Sequence, residues 1–75
     1  MHRPLFAIAR EIRADWTEPY FGAVPYLDAM SSLVGPDDRY GMDPATDVIR
    51  YFLSNAKTWR GETARRIKAE LKRMI

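Results

Sequence analysis

Seventy-five residues with no cysteine exclude a disulfide framework and a thiolate metal site, and they leave room for one hydrophobic core at most. The net charge of +2 is too small to specify a partner, but its distribution is uneven. Lys57 to Ile75 hold seven basic residues against two acidic, a net of +5, whereas residues 1–56 hold five against eight, a net of −3.

The first predicted element spans residues 4–16. Leu5, Ile8, Ala9, Ile12 and Trp16 recur at three- and four-residue steps, with Arg10, Glu11, Arg13 and Asp15 between them, which is the pattern of an amphipathic helix. Pro4 suits its first turn, where no backbone donor is needed, and Pro19 stops it. The apolar run from Leu5 to Ala9 is cut by Arg10 and is too short for a signal peptide. No run approaches the roughly 20 apolar residues of a membrane span, so a cytoplasmic protein with no membrane partner is expected.

After an aromatic corner at Tyr20-Phe21-Gly22, with Gly22 placed for its backbone freedom, a second helix is predicted over 23–34 with Pro25 in its first turn. Gly35-Pro36-Asp37-Asp38 opens a loop that runs to Asp43. Asp43-Pro44 reads as a capping residue followed by a first-turn proline, and the third helix is predicted over 44–56, with Ala45, Val48, Ile49, Phe52 and Ala56 facing inward. Thr58 is placed to cap a fourth helix over 58–74. No segment reads as a strand, so the fold class is all-α, a small bundle of four helices in a single domain over residues 1–75.

The fourth helix carries the candidate site. Ala64, Ile67, Leu71, Met74 and Ile75 share one sector at about 100° per residue, the spacing of a bundle or dimer seam. Glu62 sits four residues before Arg66 and Glu70 three before Arg73, which gives those arginines local partners. Arg65, Lys68 and Lys72 have none at the favourable spacing and border the apolar stripe, with Arg60 one turn earlier. Three readings of that strip stand side by side: a solvated face that complements the helix dipole, a set of phosphate contacts, and a complement to Asp37, Asp38, Asp43 and Asp47 within or between subunits. Trp59 lies off the stripe, so it either packs on the first helix or anchors an interface.

The remaining motifs carry little chemistry. Nine aromatic residues are many for this length, and core packing is their default role. The acidic loop lacks the ligand spacing of a calcium site, the lone His2 has no companion ligand, and no serine has an activating partner. No catalytic residue, metal site or cofactor is expected. Read from its residues, the chain is a non-enzymatic protein–protein interaction module, expected to be homodimeric, with Trp59, Arg60, Arg65, Ile67, Lys68, Leu71 and Lys72 as interaction residues. The alternative is a nucleic-acid-binding protein that uses the basic last helix. The blocks EIRADW (11–16), YFGAVPYLDAM (20–30) and YFLSNAKTWRGETARRIKAEL (51–71) give the chain a resemblance to small uncharacterised proteins of actinobacterial phages and their hosts. The resemblance implies a phage origin, with the host cytoplasm as location and a host protein as partner, and it carries no site residues.

Overall fold

In a computed structural model describing residues 2–75, helix α1 covers Leu5–Asp15, a 3-10 turn covers Phe21–Ala23, and α2 covers Val24–Met30. Two short strands follow, β1 at Arg39–Tyr40 and β2 at Asp43–Pro44, and then α3 at Ala45–Ser54 and α4 at Glu62–Lys72. The molecule is mostly helical. The four expected helices are present, all shorter than their predicted spans, and the strand pair adds an element that the all-α reading omitted.

The inner faces form because apolar residues recur at helical spacing. Leu5, Ile8, Ala9 and Ile12 of α1 are buried, as are Ala45, Val48, Ile49 and Phe52 of α3 and Ala64, Ile67 and Leu71 of α4. α2 packs against both α1 and α3, and α4 lies against α1. Leu27, Met30, Leu33, Ala56 and Trp59 fill the space between the helices, and no polar or charged residue is buried among the described residues.

The ends of the helices differ from the predictions for identifiable reasons. Pro4 stands just before α1, not within it, and the first free donors of the helix are met by another element: Leu5 N–H donates to the Val34 carbonyl at 2.8 Å and Phe6 N–H to Leu33 at 2.9 Å. The chain leaving α2 must therefore run past the start of α1. That explains why α2 stops at Met30 and continues as a turn through Ser31 and Ser32. Asp43 does not cap α3. It pairs with Tyr40, and Arg39 pairs with Pro44, in an antiparallel hairpin closed by Gly41 and Met42, with Gly41 at φ 62°. Asp38 replaces it, since its carbonyl accepts from Ala45 N–H at 2.8 Å and its carboxylate from Val34 N–H at 2.9 Å.

Thr58 is likewise outside α4. Lys57 and Thr58 form a turn closed by Trp59 N–H donating to the Ala56 carbonyl at 3.1 Å, and the helix starts after Gly61, whose φ of 114° and ψ of −178° lie in a region that side chains disfavour. Gly22 has a negative φ, so its role is space and not the backbone freedom expected of it. A Cβ there would lie 2.6 Å from both the Asn55 Oδ1 atom and the Tyr20 ring.

Candidate functional site

Starting α4 at Glu62 releases Trp59 from the helix and lets it turn inward. Its ring stacks on Trp16 at 5.7 Å with planes 10° apart and meets the edge of Phe52 at 6.3 Å, and its Nε1–H donates to Asp15 Oδ2 at 2.8 Å. It is 2% exposed. Of the two sequence readings of Trp59, the structure gives packing on the first helix, and the exposed anchor is corrected accordingly. Ile67 and Leu71 are both 0% exposed, so the expected seam is closed within one chain and offers no surface to a twin. Ile75, assigned to the same sector, is outside the helix and exposed.

The local ion pairs expected on α4 are replaced by longer ones. Arg66 pairs with Glu11, and Glu70 accepts two bonds from Arg3 at 2.7 and 2.8 Å, while Arg3 also reaches Glu11 at 3.0 Å. Together with the Trp59 bond to Asp15, these ties fasten α1 to the last part of the chain in antiparallel sense. The Arg66 and Arg3 guanidiniums hold the Glu11 carboxyl below its ordinary value, and Arg3 does the same for Glu70.

The other basic residues of this segment have no carboxylate partner among the described residues: Lys57, Arg60, Arg65, Lys68, Lys72 and Arg73. Arg60, Arg65 and Lys68 share a shallow cleft of about 290 Å³ with Trp59, Gly61 and Ala64, at the start of α4. Lys72 lies outside it. Lys68 is fixed by donating to the Trp59 carbonyl at 2.6 Å, with its Nζ 5.9 Å from the Trp59 ring centre. Burial, aided by repulsion from Lys72 and Arg60, holds its ammonium below the usual lysine value, a condition that a bound anion would relieve.

The second surface was missed in the sequence. Only Phe52 and Trp59 among the aromatics are buried, with Trp16 and Tyr26 half-buried against the core, so core packing does not account for the five exposed rings. Tyr20 and Phe21 stand together at 4.7 Å on the 3-10 turn, and Phe21 is 78% exposed. Tyr20 borders Asn55, the residue just after α3, whose side chain donates to the Tyr51 carbonyl at 2.8 Å, and Tyr51 meets Tyr26 of α2 at 5.5 Å. Tyr26, Tyr40 and Tyr51, with Pro25, Asp43 and Val48, then line a groove of about 240 Å³. The available signal was that Tyr51 sits outside the inward positions of α3, the position of a residue not needed by the core.

Among the described residues no helix is long and apolar enough to cross a membrane, and no three acidic or imidazole groups converge as metal ligands. Compared with protein-family models, curated proteins and solved structures, the chain matches none.

Proposed function

We propose that this protein is a non-enzymatic interaction module that docks another protein on the aromatic face formed by the 3-10 turn, α2, α3 and the hairpin. The observation that carries the reading is the row of exposed rings: Phe21 at 78%, Tyr51 at 53%, Tyr40 at 47% and Tyr20 at 46%. Tyrosine, phenylalanine and methionine are the side chains enriched where proteins meet, and Met42 at the hairpin tip is 90% exposed. A core already closed by Phe52, Trp16 and Trp59 has no use for these rings, so the surface that they form is available to a partner. The expected homodimer, if formed, uses this face and not the α4 seam. An actinobacterial phage origin, with a host protein as partner in the host cytoplasm, is the setting in which we place the module.

The test compares the wild-type chain with Phe21→Ser/Tyr51→Ser, both outside the core, for capture of defined proteins from an actinobacterial lysate and for sedimentation at high micromolar concentration. Capture or self-association that disappears in the variant supports the reading. Identical profiles for the two chains refute it.

A second reading, nucleic-acid binding, is supported by the six cations between Lys57 and Arg73 that have no carboxylate partner among the described residues. It requires an affinity for mixed-sequence duplex or single-stranded DNA that falls with salt, with a slope of roughly 0.7–0.9 per phosphate contacted. Arg65→Gln/Lys72→Gln reduces that slope if these side chains touch phosphate. Absence of binding at low salt ends this reading.

A further inference from the structure

The geometry points to a more specific role for the groove between α2, α3 and the hairpin: it receives a single cationic side chain, lysine or arginine, from a partner protein. This rests on the interaction reading above and names the chemistry of its partner. Three tyrosine rings border the groove, and those of Tyr26 and Tyr51 are tilted 34° to each other at 5.5 Å, so neither ring is stacked flat on the other. Aromatic faces carry the negative end of the ring quadrupole and attract a cation placed over them. Their hydroxyls make no hydrogen bond to the chain among the described residues.

Charge complementarity selects a cation over an apolar residue. Asp43 is among the residues that line the groove, and its carboxylate has no ion pair among the described residues. No lysine or arginine is among the lining residues. The basic side chains nearest in sequence are directed elsewhere, since Arg39 donates to the Met42 carbonyl at 3.3 Å and Arg50 to Asp47 at 3.1 Å. The groove is therefore bordered by three aromatic rings and one acidic residue, and no cation of the chain is among its lining residues. Its volume of about 240 Å³ is below the roughly 300–1,000 Å³ of sites for drug-sized ligands, which suits one long side chain.

The experiment titrates the isotope-labelled full chain with short Gly/Ser peptides that differ at one central position: lysine, arginine, or norleucine, the neutral analogue of lysine. A fourth peptide carries two prolines there. Backbone and tyrosine resonances report the site. Lysine and arginine peptides are expected to shift Tyr26, Tyr40 and Tyr51 and to bind roughly five- to tenfold more tightly than norleucine, the scale of one cation–aromatic contact. Asp43→Asn and Tyr51→Leu, both altering exposed side chains, are each expected to remove most of that difference while the spectrum keeps its dispersion. Norleucine or proline peptides binding as well as lysine overturn the proposal, and so do shifts confined to other surfaces or no shift with any peptide. The interaction reading is judged separately by the Phe21/Tyr51 capture: capture lost in that variant, with no preference for lysine or arginine peptides, overturns this proposal and leaves the interaction reading standing.

Discussion

Replacing Trp59 by alanine distinguishes a buried clamp from a surface anchor. The indole is 2% exposed, stacked on Trp16, edge-on to Phe52 and hydrogen-bonded to Asp15. Truncating a buried tryptophan costs about 3–5 kcal/mol, whereas surface changes stay within about 0.5 kcal/mol. A chain of this length has a total stability of roughly 4–11 kcal/mol, so Trp59→Ala removes about a quarter of it or more. Trp59→Phe keeps an aromatic ring but loses the bond to Asp15 and part of the stack. Its expected cost is about 1–2 kcal/mol, because Asp15 is exposed and recovers water as a partner. Urea unfolding followed by far-ultraviolet circular dichroism measures both, with the slope against denaturant checked for constancy. A loss below about 1 kcal/mol for Trp59→Ala at unchanged slope would refute the packing assigned to Trp59.

Leu71→Asp buries a charge at a site with 0% exposure, so the expected outcome is an unfolded chain by circular dichroism, not a folded monomer released from a dimer. Gly61→Ala forces a Cβ onto a φ of 114° and is expected to cost about 1–3 kcal/mol in a urea titration. Gly35→Ala, which meets nothing within 4 Å, is expected to stay within about 0.5 kcal/mol. The Glu11 and Glu70 carboxyls have folded pKa values below their ordinary 4.5, so the stability that they contribute is present above that value and is lost as pH falls through the lowered folded values. Arg3→Ala should flatten this acid dependence and lower the neutral-pH stability by about 1 kcal/mol or less, since these ion pairs are partly exposed. An unchanged acid limb in that variant would contradict the assignment.

What was legible in the sequence is what local periodicity encodes. The inner residues within α1, α3 and α4 follow from three- and four-residue spacing and are buried where the spacing placed them, whereas Trp16 and Ile75, assigned to the same stripes beyond the helix ends, are half-buried and exposed. What was not legible depends on residues far apart in the chain. Thr58 is a sound capping residue, but the helix starts at Glu62 because Trp59 must reach a ring 43 positions earlier. The i→i+3 and i→i+4 pairs on α4 gave way to Arg3 and Glu11, which no helical spacing connects to it. Two-residue strands are too short for alternation to reveal, and Gly41 was their sole local mark. The interaction residues divide on the same line: the exposure of Arg60, Arg65 and Lys72 follows from pattern, whereas the burial of Trp59 depends on α1.

The ties from Arg3, Glu11 and Asp15 to residues 59–70 also govern how the molecule is made. A ribosome delivers the first helix roughly 3–12 s before the last, at about 5–20 residues per second. Throughout that interval the oily side of the nascent first helix has no cover from the helix that will finally lie against it. Folding is thus completed only once Glu62–Lys72 have left the exit tunnel, and a message truncated near residue 60 is expected to yield a product for the proteases instead of a smaller working protein.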